Sequence, residues 1–209
     1  MKHVILLGDS IFDNGSYVPG EQPVIEQVKA ILSKEWNASL LAVDGDVTLD
    51  VLQQFTKLSR DATHLIISCG GNDALRSVDV LNERVTTVGE ALNRLSEVRL
   101  LFQSNYRKML LAGLKFRKPI AVCTVYDKVP GLEENAATAL SLFNEIILKE
   151  AFALKIPVID LRLVCTEVSD YSQLSPIEPS SSGGEKIAGI INELLCNHNF
   201  SNPHSRVYA

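Results

Sequence analysis

The sequence predicts a three-layer α/β/α sandwich on a five-stranded parallel sheet, with all 209 residues in a single domain. Short apolar runs alternate with longer amphipathic segments, which is the pattern of a parallel sheet covered by helices on both faces. No repeat, low-complexity tract or linker divides the chain. Its length is sufficient for one sizeable core and short for two.

Five short apolar runs are typical of buried parallel strands. In chain order they are HVILLG (3–8), ASLLAV (38–43), THLIIS (63–68), PIAVCTV (119–125) and IPVIDL (156–161). Between and after them, apolar residues recur every three or four positions, which predicts helices over 23–36, 49–59, 80–116, 136–154 and 183–196. We expect the turn-rich tail, 197–209, to be loosely ordered.

The composition restricts the possible partners. A net charge of -5 and a pI near 5.4 argue against nucleic acid and anionic membranes, since both need a basic surface. The N-terminal apolar run is too short for a signal peptide, and no segment is long enough to span a membrane. Four cysteines without a CxxC pair, Cys69, Cys123, Cys165 and Cys196, indicate reduced thiols in a cytoplasmic protein. We expect a small-molecule ligand and no cofactor or metal, and the sequence does not indicate an oligomeric state.

The loops after the strands carry the candidate chemistry, because open sheets of this kind bind ligands at the carboxyl ends of their strands. In the first loop, GDSIFDN, Gly8 allows a sharp turn and Ser10 presents a hydroxyl with its own N–H beside it. That layout suits a nucleophile elbow, although short Gly-Asp-Ser turns occur in many proteins. The second loop, DGDVT, offers the Gly45 N–H, and the third, GGND, offers the Asn72 amide. Together the three residues can stabilise an oxyanion during acyl transfer.

These three blocks, in this order and on these strand ends, resemble the SGNH or GDSL hydrolase family of esterases, lipases and acylhydrolases. The resemblance extends from Gly8 to the last helix and implies a flavodoxin-like sandwich. It also implies that Ser10 is the nucleophile, and that the N–H groups of Ser10 and Gly45 and the amide of Asn72 form the oxyanion hole.

The fourth block of the family, Asp-x-x-His before the last helix, is replaced in this chain. Alignment on PSSSGGEKIA places Ser175 at the aspartate and Glu178 at the histidine. Other histidines are poor substitutes, because His3 and His64 open strands at the far edge of the sheet and His198 follows the last helix. His204 could return to the site only through a nearly extended tail.

A glutamate has about the reach of a histidine, so Glu178 can replace the general base if its pKa is raised. An ordinary glutamate pKa of ~4.3 would make it a weak base, but burial and the neighbouring acids Asp9 and Asp73 would raise that value. Ser175 is consistent with such a site, because an aspartate there would only repel the carboxylate.

The sequence thus predicts a serine hydrolase acting on a small ester through an acyl-enzyme on Ser10. Two alternatives stay open: a non-catalytic protein of the same fold that binds a carboxylate or acyl ligand, and a metal-assisted hydrolase using a ring of acids. That ring would comprise Asp9, Asp13, Asp44, Asp46, Asp73 and Glu178. The segments 79–116 and 126–135 are expected to wall the pocket, with an apolar acyl site lined by Phe102, Tyr106, Tyr126 and Leu132.

Overall fold

A computed structural model describes residues 1–202 and 204–209, and within them six parallel strands form one sheet in the order β2-β1-β3-β4-β5-β6. The strands are β1 (Lys2–Gly8), β2 (Trp36–Leu40), β3 (His64–Ser68), β4 (Ile120–Cys123), β5 (Val158–Ile159) and β6 (Val207–Tyr208). The predicted α/β class is confirmed. The sheet has one strand more than the sequence predicted.

Helices flank the sheet on both sides. They are α1 (Val24–Ile31), α2 (Val51–Phe55), α3 (Gly71–Arg76), α4 (Val88–Leu114), α5 (Glu134–Ala153), α6 (Leu161–Val164) and α7 (Ser181–Asn197). On one face α1 packs against α7, and on the other α4 packs against α5. Each face therefore has its own apolar core layer, as a three-layer sandwich requires.

Alternation of side chains along β1 shows how one short strand supplies both layers. Val4 and Leu6 pack in the layer of α1 and α7, whereas Ile5 and Leu7 pack in the layer of α4 and α5. All four side chains are buried, and full burial of each contributes roughly 1.5–3 kcal/mol. The unbroken apolar run of β1 thus follows from cover on both faces.

The tail departs from the expectation that it is loosely ordered, because β6 pairs with β5 in parallel register. Its two residues are too few to give a periodic signal in the sequence. Three predicted helices are also shorter than expected, and one of them, α2, covers only Val51–Phe55 of the predicted 49–59. The first ends at Ile31, since Trp36 already begins β2. The long helix begins at Val88, where the Thr87 hydroxyl accepts a hydrogen bond from the Glu90 N–H at 3.1 Å and caps it.

Gly8 shapes the end of β1 in a way that no other residue would allow. Its φ of +123° lies in the region that favours glycine, and a Cβ there would lie 1.7 Å from the carbonyl oxygen of Ser68. The close approach of β3 lets the Asp9 N–H donate to that oxygen at 3.1 Å. The chain then turns away from the sheet, and Ser10 follows at its upper edge.

Candidate active site

Three neighbouring strand ends bring together the loops that contain Ser10, Gly45 and Asn72. A buried glutamine joins two of these loops: Gln54 of α2 accepts from the Gly8 N–H at 2.8 Å, and its amide donates to the Gly8 carbonyl at 2.7 Å and to Asp46 Oδ2 at 2.8 Å. Sequence reasoning missed Gln54. The available signal was a polar side chain on the apolar face of α2, next to the buried Val51 and Phe55.

The predicted oxyanion donors have free hydrogen-bonding capacity. Among the described residues, the N–H groups of Ser10 and Gly45 have no acceptor. Gly45 has a φ of +82°, which favours glycine. The Asn72 amide donates one hydrogen bond to the Asp46 carbonyl at 3.0 Å, which leaves its second N–H for a ligand.

Glu178 is held by backbone hydrogen bonds on both of its sides. Its N–H donates to the Ser175 carbonyl at 3.0 Å, and its own carbonyl accepts from the Ser172 N–H at 2.8 Å. An isolated antiparallel bridge between Tyr171 and Pro179 reinforces this turn. Ser175 therefore acts here through its carbonyl. Its hydroxyl forms no hydrogen bond to any part of the chain that the structure describes.

Two side chains tie the Glu178 turn to the rest of the site. Buried Asn14, from the Ser10 loop, donates to the Pro179 carbonyl at 3.0 Å and accepts from the Val24 N–H at 2.9 Å. The Tyr126 hydroxyl donates to the Ile177 carbonyl at 2.6 Å. Because these bonds flank Glu178 directly, they fix its carboxylate relative to the loop that contains Ser10.

The Glu178 carboxylate is buried beside the Ser10 hydroxyl. The residue is 4% exposed, and burial raises its pKa to about 7, with a smaller rise from the charge of Asp44. Interaction with the Ser10 hydroxyl acts in the opposite direction and lowers that pKa. Glu178 Oε2 has no hydrogen-bond partner within residues 1–202 and 204–209. A carboxylate with a pKa near 7 is a competent general base at neutral pH.

Asp9 is a second buried carboxyl group at the same position. It is 2% exposed, and burial raises its pKa to about 8, with further rises from the charges of Glu178 and Asp73. Its Oδ1 accepts from the Ile11 N–H at 3.2 Å, which partly offsets the shift. Asp73 also has a raised pKa because it is buried, although hydrogen bonds from the N–H and hydroxyl of Thr48, both 2.9 Å long, oppose the rise.

A cavity of about 160 Å³ opens beside these groups and is lined by Asp9, Ser10, Asn72 and Glu178. Its remaining walls are largely apolar and include Leu81, Val98, Val125, Leu132, Leu140 and Phe143. Tyr126 also lines it, as predicted. Phe102 and Tyr106 belong instead to the core layer of α4 and α5, which corrects the predicted acyl-site list. Neither is among the residues that line the cavity.

The four histidines make contacts at other places. His3 binds Asp61 and Ser39, at 3.0 and 2.8 Å, and the His64 ring packs against Trp36. His198 and His204 stack on each other with ring centroids 4.8 Å apart. The acids do not form the ring that the metal-assisted alternative requires: in the described part of the chain, no three His, Cys, Asp or Glu side chains are grouped closely enough to hold a metal ion.

The fold and the strand-end loops place the chain among the α/β sandwich hydrolases. The chain belongs to the GDSL-like lipase/acylhydrolase family, whose profile matches residues 6–184. A search of curated proteins gives no match.

Solved structures with the same fold include lipases and an esterase. The lipase Lip_vut3 from a goat rumen metagenome is 21% identical, with a TM-score of 0.71 over 90% of this chain and 95% of that one. The extracellular lipase of Streptomyces rimosus is 18% identical, with a TM-score of 0.66 over 92% and 99%. The acetyl xylan esterase AlAXEase is 16% identical, with a TM-score of 0.66 over 94% and 100%. Identities this low support the fold alone.

All four cysteines are free thiols. Cys69, Cys123 and Cys165 are buried and free, and Cys196 is exposed and free.

Across the described residues, no helix is both long and apolar enough to cross a bilayer.

Proposed function

We propose that this protein is a carboxylic ester hydrolase in which Ser10 is the nucleophile and Glu178 the general base. The observation that carries the proposal is the buried Glu178 carboxylate beside the Ser10 hydroxyl, with its pKa raised to about 7. A serine with a base within reach and free N–H donors next to it matches the requirements of acyl transfer. The three buried free thiols fit a reducing cytoplasmic compartment.

In the first half of the reaction, Ser10 Oγ attacks the ester carbonyl while its proton passes to Glu178. The carbonyl oxygen becomes an oxyanion, which the N–H groups of Ser10 and Gly45 and the free Asn72 N–H stabilise. As the intermediate collapses, the bond to the alcohol oxygen breaks and that oxygen takes the proton from Glu178. An acyl-enzyme on Ser10 and a neutral alcohol result.

In the second half, water attacks the acyl-enzyme while Glu178 accepts a proton from it. Collapse of the second intermediate releases the carboxylic acid, and Ser10 regains its proton from Glu178. Glu178 acts alternately as base and acid, so a pKa near neutrality serves both steps.

The apolar cavity indicates which end of the substrate it receives. A hydrophobic cavity of roughly 150 Å³ accommodates a molecule the size of benzene. The cavity beside Ser10 has about this volume, so we assign it to a short acyl chain of about six carbons or fewer. Small esters with such acyl groups are the proposed substrates.

The test of the proposal is covalent labelling of Ser10. A serine-directed fluorophosphonate should add to Ser10 in the native protein, as determined by mass spectrometry of its peptides, and should leave Ser10→Ala unlabelled. Ester turnover should be lost in the same variant. If Ser10 takes no label and no ester is hydrolysed between pH 4 and 9, the protein is better described as a binding protein that holds a carboxylate or acyl ligand on its oxyanion donors.

Replacement of Asn72 by alanine is expected to lower kcat by about 10²- to 10³-fold with a smaller change in KM, because the amide contacts the oxygen only after it becomes charged. Steady-state hydrolysis of a p-nitrophenyl ester measures both constants. The exposed Asn82→Ala is the matched control and should retain full activity. A loss of less than threefold in Asn72→Ala would exclude Asn72 from the oxyanion hole.

A further inference from the structure

Asp13 and Asp44 lie on the side of Ser10 toward β2, whereas the apolar cavity walls lie toward β3 and β4. Asp13 follows β1, and its Oδ2 accepts from the Asp44 N–H at 3.0 Å. Asp44 follows β2, and its Oδ2 accepts from the Tyr17 hydroxyl at 2.8 Å, which raises the pKa of Tyr17 to about 12. The cavity walls come mainly from segments that follow β3 and β4. Since β1 lies between β2 and β3, Ser10 separates an apolar side from an acidic one.

Glu178, which lines the cavity beside Ser10, supplies a second, independent sign that a ligand binds next to these acids. The residue is 96% buried, and its Oε2 finds no donor among residues 1–202 and 204–209. A bound cation would offset the cost of burying a carboxylate oxygen that has no donor. The charge of Glu178 raises the pKa of Tyr17, the charge of Asp44 raises that of Glu178, and Tyr17 and Asp44 are hydrogen-bonded to each other.

The surrounding charges favour a cation. Asp46 and Asp73 add further acids from the loops after β2 and β3. Arg76, a basic side chain at the end of α3, donates to the Gly45 carbonyl at 3.1 Å and lowers the pKa of Asp73. Within the described residues, no set of three ligating side chains suits a metal ion. An organic cation is therefore the better match, and the Tyr17 ring offers it an aromatic face.

We propose that the acidic side of the site binds an ammonium group in the alcohol portion of the substrate, next to Asp44, Glu178 and Tyr17. The preferred substrates are then esters of a short apolar acid with an amino alcohol. This inference rests on the proposed hydrolase function, and it assigns the two sides of Ser10 to the two halves of the substrate. The ammonium also keeps Glu178 ionised at neutral pH, as a base must be before it accepts the Ser10 proton.

The test compares two substrates of the same shape and different charge: butyrylcholine and 3,3-dimethylbutyl butyrate, in which carbon replaces the ammonium nitrogen. We expect kcat/KM for the choline ester to exceed that for the neutral ester by about tenfold at low ionic strength, and the ratio to fall as salt is added. Asp44→Asn should reduce the ratio at least threefold. The exposed Asp79→Asn, outside this group of acids, should leave the ratio unchanged.

The outcomes separate this inference from the proposed function. Equal kcat/KM for the two esters, or a ratio that Asp44→Asn does not alter, overturns the ammonium site and leaves the hydrolase in place. If neither ester is hydrolysed, calorimetry with choline alone decides the question. Binding of choline to the native protein that is lost in Asp44→Asn supports the cation site without catalysis, and the absence of binding overturns it.

Discussion

Replacement of Glu178 by glutamine is expected to lower kcat for ester hydrolysis by about 10²- to 10⁴-fold, the usual contribution of a general base. Glutamine preserves the size of the side chain and the backbone hydrogen bonds to Ser175 and Ser172, but it cannot accept the Ser10 proton. Steady-state kinetics at pH 8 measure the loss, and circular dichroism verifies the fold. The exposed Glu185→Gln, near the start of α7, is the control and should behave as the native protein does.

The pH profile of the native enzyme provides the accompanying test. Because Glu178 has a pKa of about 7, its carboxylate takes up a proton as the pH falls through that value, and kcat/KM should decline there tenfold per unit. An ordinary glutamate would give this decline near pH 4.3. The residual activity of Glu178→Gln should not show the decline near pH 7. If Glu178→Gln retains both the native rate of hydrolysis and the decline near pH 7, another group is the base.

The fold and the site were not equally predictable from the sequence. Strand ends could be predicted because Gly8, Gly45 and Asn72 follow buried apolar runs, and in a parallel sheet such ends meet at one edge. The helix bounds were less accurate, since amphipathic periodicity continues past the residue at which a cap or a following strand ends the helix. The Thr87 cap and the early start of β2 at Trp36 are examples.

Long-range polar contacts could not be predicted from the sequence. Gln54 lies 46 residues from the Gly8 backbone that it binds, and Asn14 lies 165 residues from the Pro179 carbonyl. No local pattern links such pairs, yet they hold the Ser10 loop and the Glu178 turn together. The burial of Phe102 and Tyr106 in the core was equally hard to predict from the sequence. The packing of α5 and β3 determines which face of α4 lies against the sheet.

The raised pKa of Glu178 was a hypothesis at the level of sequence, and burial is the larger of its two predicted causes. Asp9 and Asp73 were expected to contribute, and burial was the other possible cause. In the structure burial contributes most to Glu178, with a smaller rise from Asp44, whereas Asp9 is the group whose pKa Glu178 and Asp73 raise. The positions of the acids after the strands identified them in the sequence. The order in which they ionise depends on the packing and could be read only from the structure.

Asp9→Asn is expected to stabilise the protein by roughly 3 to 5 kcal/mol at pH 8. Asparagine can accept the Ile11 N–H as Asp9 does, and it carries no charge into this buried position. The pKa of Asp9 is raised in the folded protein to about 8, from 3.8. The folded state therefore binds more protons than the unfolded state between these values, and the stability of the native protein falls as the pH rises from about 4 to about 8.

The difference in unfolding free energy between Asp9→Asn and the native protein should accordingly be small near pH 4 and reach its full size by pH 8. Urea denaturation at half-unit intervals of pH measures it. The exposed Asp79→Asn removes a charge without removing a buried one, and its effect should stay within about 0.5 kcal/mol at every pH. A difference for Asp9→Asn that is independent of pH would mean that Asp9 is ionised in the folded protein. The Ser10 site would then hold two charged carboxylates at neutral pH, and an ammonium ligand would be needed all the more to offset them.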